Sequence, residues 1–330
     1  MSSLDNLPAD AFLRDGQLNL AIRSYRKAIS ANPHSAWSHH GLGEASARKG
    51  WFLLARSLFR RALELDPEEV KRWQAANLPD FDTHSSIPEP VFVLGCPHSG
   101  TTIITRLLGE HPNIMKAELR ETQLFSRDPA TIQATLRQWD RNCIEAGKRR
   151  WIEKSVIHTF MVPKLLAARP GARLIIMVRD GRDVVASMKT RKYAFAGFDE
   201  LVNSWTKAND VLREVSRRSQ AMLIRYEDLV REPESTLRKL CDHLGEPFSE
   251  KMLEHHSNRI EWNGVEPEKV AGELGDVTSH RHLRAWQINQ PLFDGRGRWQ
   301  HELSDEEKAR LKDLARNQLV EFGYVSDDNW

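Results

Sequence analysis

The 330-residue chain is long enough for one large domain and a small one, and 40% hydrophobic against 28% charged residues is an ordinary soluble globular balance. A formal net charge of +2 excludes nucleic-acid binding through bulk charge, so any anion site is local. Three widely spaced cysteines, Cys96, Cys143 and Cys241, suggest neither a disulfide framework nor a zinc site, and no metal ligand set is read. Met1 to Asn6 lack the basic and apolar regions of a leader, and no apolar run reaches membrane-spanning length, so a cytoplasmic location without a membrane span is expected.

Residues 14–67 repeat with a period of 34. Gly16 recurs as Gly50, Ala21 as Ala55, Tyr25 as Phe59, Ala28 as Ala62 and Pro33 as Pro67. This order resembles the tetratricopeptide repeat, in which small residues let two antiparallel helices approach closely. At most two units fit, fewer than such arrays normally need to bury a core. The array is therefore expected to pack on the rest of the chain, through Trp51, Phe52 and Trp73. It reads as a scaffold more than a peptide groove, with protein contact or self-association as its partner reading. Residues 77–90, with Pro79, Pro88 and Pro90, read as a linker, giving a helical domain over 1–82 and a second domain over 83–330.

Val91 to Leu94 is a continuous apolar run, as in a strand buried on both faces. A turn, Gly95-Cys96-Pro97-His98-Ser99-Gly100, leads to Thr101-Thr102 and a helix with Ile103, Ile104, Leu107 and Leu108. Strand, glycine turn and helix N-terminus together make an anion site of free backbone N–H groups. Gly95 and Gly100 have the spacing of a P-loop, but Thr101 stands where its lysine belongs. That argues against ATP or GTP and suits a smaller anion such as a nucleotide 5′-phosphate.

Glu118, Arg120, Glu121 and Thr122 follow, and residues 130–150 read as a helix with a basic end. Trp151 to Ser155 leads into a helix containing His158 and Met161. Leu174 to Val178 is a second apolar strand running into Arg179-Asp180-Gly181-Arg182-Asp183 and a helix with Ser187. An arginine at the carboxyl end of a buried strand is where open α/β sheets place ligand groups. A third strand, Met222 to Tyr226, precedes a helix from Ser235 to Leu244, which Gly245 ends. Phe293 to Trp299 is a basic glycine-rich loop, and Ser304 with Glu307 marks the N-cap of a final helix. The fold class is α/β: a P-loop-like, mostly parallel sheet flanked by helices, with a small all-α N-terminal repeat domain.

Four elements in order, Pro97-His98-Ser99-Gly100-Thr101-Thr102, Glu153-Lys154-Ser155, Val178-Arg179 through Ser187, and Arg225-Tyr226-Glu227-Asp228-Leu229, resemble the sulfotransferases that use 3′-phosphoadenosine 5′-phosphosulfate (PAPS) and release PAP. The resemblance covers about residues 90–325 and extends to bacterial members with tetratricopeptide units. It implies that Pro97, His98, Ser99, Gly100, Thr101 and Thr102 hold the 5′-phosphosulfate, and that Arg179 and Ser187 grip the 3′-phosphate. Arg191 would add a basic contact, Tyr226 would help enclose the nucleotide, and Arg296 and Arg298 would close over the 3′-phosphate. His98 departs from the family's usual Lys or Arg beside the transferring group, which shifts weight to Lys154 as stabiliser of the leaving oxygen.

Glu121 matches the base of the glycan- and tyrosine-modifying branches, with Glu118 as the alternative. His158 is the rival, four residues after the lysine instead of the two seen in cytosolic branches. The transfer implied is in-line and metal-free, to the hydroxyl of a glycan or small metabolite; a protein tyrosine is the alternative acceptor. A P-loop-like nucleotide kinase and a non-catalytic repeat scaffold are the readings from other classes.

Overall fold

The computed structural model describes residues 7–84, 89–118, 120–190, 197–261 and 285–326. Five helices open the chain: α1 (Leu7–Arg14), α2 (Leu18–Ala31), α3 (Ala36–Arg48), α4 (Phe52–Leu65) and α5 (Pro67–Ala76). Gly16 and Gly50 stand at equivalent turns of the two repeats with φ of 74° and 80°, a conformation that glycine adopts without strain. The small residues of α3 admit the rings of the flanking helices. A Cβ at Gly41 would come within 2.3 Å of the Tyr25 ring, and one at Gly43 within 2.8 Å of Phe59. Buried Asp10 accepts hydrogen bonds from Tyr25 Oη, from Trp37 Nε1 at 2.9 Å and from Trp73 Nε1 at 3.2 Å. Trp73 belongs to the core of the helices themselves and also lines a hollow with Phe160, Met161 and Lys164, whereas Trp51, expected as a packing contact, is 45% exposed.

The chain forms two compact units. One joins the N-terminal helices to residues 123–138 and 157–170; the other holds the remainder. Within the first, Lys164 of α8 (Val162–Ala168) donates to Glu44 Oε1 at 2.6 Å and to Phe125 O at 2.8 Å, while Arg48 takes the same carboxylate at 3.2 Å. Burial alone would raise the Glu44 carboxyl, but Lys164 and Arg48 hold it down at about 2. Burial lowers neighbouring His40 to about 4.

The second unit is built on a five-stranded parallel sheet in the order β2-β3-β1-β4-β5. The strands are β1 (Val91–Gly95), β2 (Ile114–Lys116), β3 (Arg150–Lys154), β4 (Arg173–Val178) and β5 (Ala221–Arg225). Helix α6 (Thr101–Leu108) follows β1, and α7 (Pro129–Glu145) precedes β3. Helices α9 (Gly181–Thr190), α10 (Phe198–Ser216), α11 (Tyr226–Arg231) and α12 (Pro233–Leu244) alternate with β4 and β5. The short α13 (Trp299–Glu302) and α14 (Asp305–Glu321) end the chain's described helices. The Ser304–Glu307 capping box of α14 and the left-handed Gly245 that ends α12 are both present.

The chain leaves β1 towards β2 on one side and leaves its neighbour β4 towards β5 on the other, which makes the carboxyl ends of these two adjacent strands the switch point where open α/β sheets bind ligands. Arg150, expected at the end of a helix, and Trp151 to Lys154, expected to lead into another, form β3, between a helix ending at Glu145 and a 3₁₀ turn over Val156–Phe160. β3 lacks an apolar signature because its charges are matched: Arg150 donates to Glu246 Oε1 at 2.9 Å, and Lys154 pairs with Glu121.

The first unit should be acid-labile. Glu44 titrates lower in the fold than in an unfolded chain, so its contribution is complete above pH 4.5 and is lost as pH falls towards 2. His40 is held neutral, so protonation of the unfolded chain erodes stability between pH 6.5 and about 4, in the same direction. Urea melts of the intact chain should weaken steadily across that range. Lys164→Met should cost about 3–5 kcal/mol at neutral pH, as for a buried pair broken from one side.

Candidate active site

Four strand ends bring charged and polar groups to one edge of the sheet. After β1 the chain turns at once: Ser99 donates both its N–H, at 3.2 Å, and its hydroxyl, at 2.7 Å, to Cys96 O. His98 has φ of 69° and Gly100 of 96°. A side chain at Gly100 would come within 2.9 Å of the Tyr226 ring, and one at Gly95 within 2.5 Å of Thr101. The turn thus closes tightly over the N-terminus of α6, whose first N–H groups have no helical acceptor.

Arg179, just past β4, is the hub of the next layer. It donates to His98 O at 3.2 Å and to Gly295 O at 2.6 Å, and its guanidinium lies 4.4 Å from the Tyr226 ring centroid. Its Nε is buried without a hydrogen-bond partner among the described residues, an orphaned donor at a lined cleft. Tyr226 Oη donates to Phe293 O at 3.1 Å. Asp183, 2% exposed, accepts the N–H groups of Gly297 at 3.0 Å and Trp299 at 3.1 Å. Burial pushes the Asp183 carboxyl up, against the opposing pull of Arg179 and those two amides.

The loop after Leu292 is thereby fastened to β4 and α9, and an open cleft of about 770 Å³ lies under it. His98, Gly100, Thr101, Thr102, Arg179, Ser187, Tyr226 and Arg298 line this cleft. His98 Nδ1 stands 3.0 Å from Ser187 Oγ, so the imidazole reaches one of the residues expected to hold the 3′-phosphate.

On the β3 side, Lys154 Nζ donates to Glu121 Oε1 at 2.5 Å and to Thr102 Oγ1 at 3.3 Å. Glu121 Oε2 accepts from Val156 N–H at 3.4 Å. Buried Glu153 accepts the hydroxyls of Thr122 at 2.9 Å and Ser155 at 2.6 Å, bracing the segments that carry Glu121 and Lys154. Thr102 links the two groups, because it lines both the cleft and a smaller hollow containing Lys154 and Lys116.

Other expected residues fall elsewhere. Pro97 is buried in the turn, and the Ser99 hydroxyl is donated within it. Arg296 turns to Asp294, with contacts of 2.6–2.9 Å, whereas Arg298 lines the cleft and pairs with Glu302 at 2.6 Å. Glu118 is exposed on the rim of the smaller hollow. His158 belongs to the other compact unit, is 1% exposed, and accepts Phe125 N–H on Nε2 at 3.2 Å. Arg191 lies outside the described residues. The loop-fastening Asp183 and the brace Glu153 were visible as letters of the motifs, but nothing in their spacing disclosed those contacts. Among the described residues, no cluster of His, Cys, Asp and Glu is placed to hold a metal ion, and no helix is long and apolar enough to cross a membrane.

Residues 112–250 match the model of a sulfotransferase family, and residues 9–50 match a TPR repeat. Residues 112–250 are thus similar to a sulfotransferase family. It is similar to the protein-tyrosine sulfotransferase of Drosophila melanogaster, with 28% identity over 59% of this chain and 46% of that protein. It is also similar to protein-tyrosine sulfotransferase 2 of Gallus gallus, at 28% over 59% of this chain and 61% of that one. The Homo sapiens protein-tyrosine sulfotransferase 1 is 30% identical over 60% of this chain and 62% of its own length. The matched stretch therefore spans about half to two thirds of these relatives. Among solved structures, the sulfotransferase domain from the Synechococcus PCC 7002 olefin synthase aligns with a TM-score of 0.49 and 19% identity, over 72% of this chain and 98% of that domain.

The Asp183 fastening is testable without any ligand. Asp183→Ala removes two acceptors, each worth about 1.5–3 kcal/mol as a hydrogen bond to a charged group. Amide exchange at Gly297 and Trp299 should quicken by roughly tenfold or more per bond, while exchange in β1 stays unchanged.

Proposed function

We propose that this protein moves the sulfuryl group of PAPS to the hydroxyl of an acceptor, a glycan or small metabolite. The observation that carries the reading is the convergence, on one edge of the sheet, of a lysine-free glycine turn with Lys154 from β3, Arg179 from β4 and Tyr226 from β5. The residues present fit the donor. Two glycine positions admit no side chain, Arg179, whose buried Nε is unsatisfied among the described residues, lines the cleft, and backbone N–H groups open α6. Arg179 and Ser187 would hold the 3′-phosphate, with Tyr226 alongside, and Gly100, Thr101 and Thr102 would hold the 5′-phosphosulfate.

The acceptor oxygen attacks sulfur in line; its S–O bond forms as the bond from sulfur to the nucleotide's bridging oxygen breaks. The hydroxyl proton passes to Glu121, and the electron pair stays on the departing phosphate. Lys154 stabilises that charge, which grows only in the transition state. At rest the two groups pair directly at 2.5 Å, a contact that would open as the acceptor hydroxyl and the sulfuryl group enter between them. A tyrosine hydroxyl is the second reading of the acceptor, supported by the names of the relatives.

Kinetics of single variants test this assignment. Glu121→Gln should lower turnover by roughly 10²–10⁴-fold with little change in the KM for PAPS, the usual worth of a positioned base. Arg179→Ala should instead raise the KM for PAPS while adenosine 5′-phosphosulfate, which lacks the 3′-phosphate, is handled as before. A Glu121→Gln protein with normal turnover beside an inactive His158→Ala would move the base to His158.

A further inference from the structure

Beyond Thr102 the cleft continues into a hollow of about 400 Å³, lined by Thr102, Lys116, Arg120, Lys154 and Ile288 among others. We propose that this hollow selects a hydroxyl acceptor carrying its own anionic group, a carboxylate, sulfate or phosphate, and that Lys116 reads that group. The proposal rests on the transfer reaction above, for which the hollow would be the acceptor side.

The charge balance of the hollow is uneven. Lys154 is matched by Glu121 at 2.5 Å, and Arg106 is matched by Glu110 and by the carbonyls of His255 and Asn258. Among the described residues Lys116 has no such close partner: the nearest carboxylate oxygen there is Glu110 Oε1 at 3.9 Å, the same oxygen that Arg106 engages. The remaining lining charges are the exposed pair Arg120 and Glu118, which offset each other. One under-neutralised ammonium is left among the groups that line this open hollow.

That ammonium is also built into place. Lys116 ends β2, and its stem lies against Gly109 at the end of α6. A Cβ at Gly109 would come within 2.5 Å of Lys116 Cδ and 2.6 Å of Cγ. Glycine there opens the slot that holds the lysine. With the side chain only 16% exposed, burial, reinforced by Arg106, brings its pKa down to about 8. An incoming anion would relieve both effects, whereas a neutral or cationic acceptor would not. Specificity of this kind comes from leaving a buried polar group unpaired with the wrong substrate.

Three closely matched phenols separate the charge from the ring: 4-hydroxyphenylacetate, 4-hydroxyphenylacetamide and tyramine. A glucuronate and glucose pair distinguishes an aryl from a sugar source of the anion. With labelled PAPS and the full chain, kcat/KM should favour the anionic member of a set over the neutral one by roughly tenfold or more, with the cationic member last. Lys116→Met should abolish that preference by raising the KM of the anionic acceptor, leaving the neutral one within about twofold. Lys116→Arg should keep the preference, and Gly109→Val, which displaces the stem, should behave as Lys116→Met does.

The same compounds titrated into PAP-loaded protein give a binding readout that needs no turnover, with the same order expected. Equal use and equal binding of anionic and neutral members, or equal losses for both in Lys116→Met, would overturn the proposal. Failure of PAP itself to bind would overturn the transfer reading, and the acceptor assignment with it; normal PAP binding without charge preference overturns the acceptor assignment alone.

Discussion

The sheet unit depends on matching the cations held at the carboxyl edge of a buried parallel sheet. Lys154, Arg179 and Arg182 are each less than a tenth exposed. An unmatched charge at such burial would be prohibitive. Each is matched differently: Lys154 by Glu121, Arg182 by Asp180 at 2.7 Å, and Arg179 by two carbonyls, the Tyr226 ring and Asp183 at 3.9 Å. The mode of matching separates structural cations from available ones. Arg182 is held by Asp180 through several contacts, Tyr324 O and the Trp299 ring, and has little left to give a ligand. Arg179 keeps a buried unsatisfied donor, so an incoming anion adds to its contacts without first breaking an ion pair.

The same logic orders the two ends of the cleft. Around Arg179, the carboxylate of Asp183 serves backbone amides of the late loop, fixing the loop over the cleft before any nucleotide arrives. Such preorganisation lowers the ordering cost of binding. At the other end, Glu121 and Lys154 pair directly, while Glu153 fixes both segments through Thr122 and Ser155. The first unit uses a buried Lys164–Glu44–Arg48 cluster for cohesion instead, which makes its stability a function of pH.

How much of this was legible in the sequence follows from how much was local. Strands β1, β4 and β5 announced themselves as apolar runs, and the turn from Gly95 to Gly100 by its glycine spacing. Strand β3, Arg150 to Lys154, did not, because its end charges find partners far along the chain, at Glu246 and Glu121. Strand β2 is only three residues long. The grouping of residues 123–138 and 157–170 with the N-terminal helices was equally hidden, since Lys164 and Glu44 are joined only by the fold. In the candidate site, Arg179, Ser187, Tyr226 and Lys154 lay within contiguous motifs. The contact between His98 and Ser187, the withdrawal of the Ser99 hydroxyl into its own turn and the pairing of Arg296 with Asp294 are matters of side-chain direction, which spacing does not encode.

The central claim is that this edge of the sheet is built for an adenosine 3′,5′-bisphosphate nucleotide and not for a nucleoside triphosphate. Calorimetric titration of the intact chain with PAP and, separately, with magnesium-ATP tests it most directly. The account predicts saturable one-to-one binding of PAP and at least tenfold weaker binding of ATP, because Arg179 and Ser187 have a 3′-phosphate to hold only in PAP and no lysine stands at position 101. Tighter binding of magnesium-ATP than of PAP would contradict it.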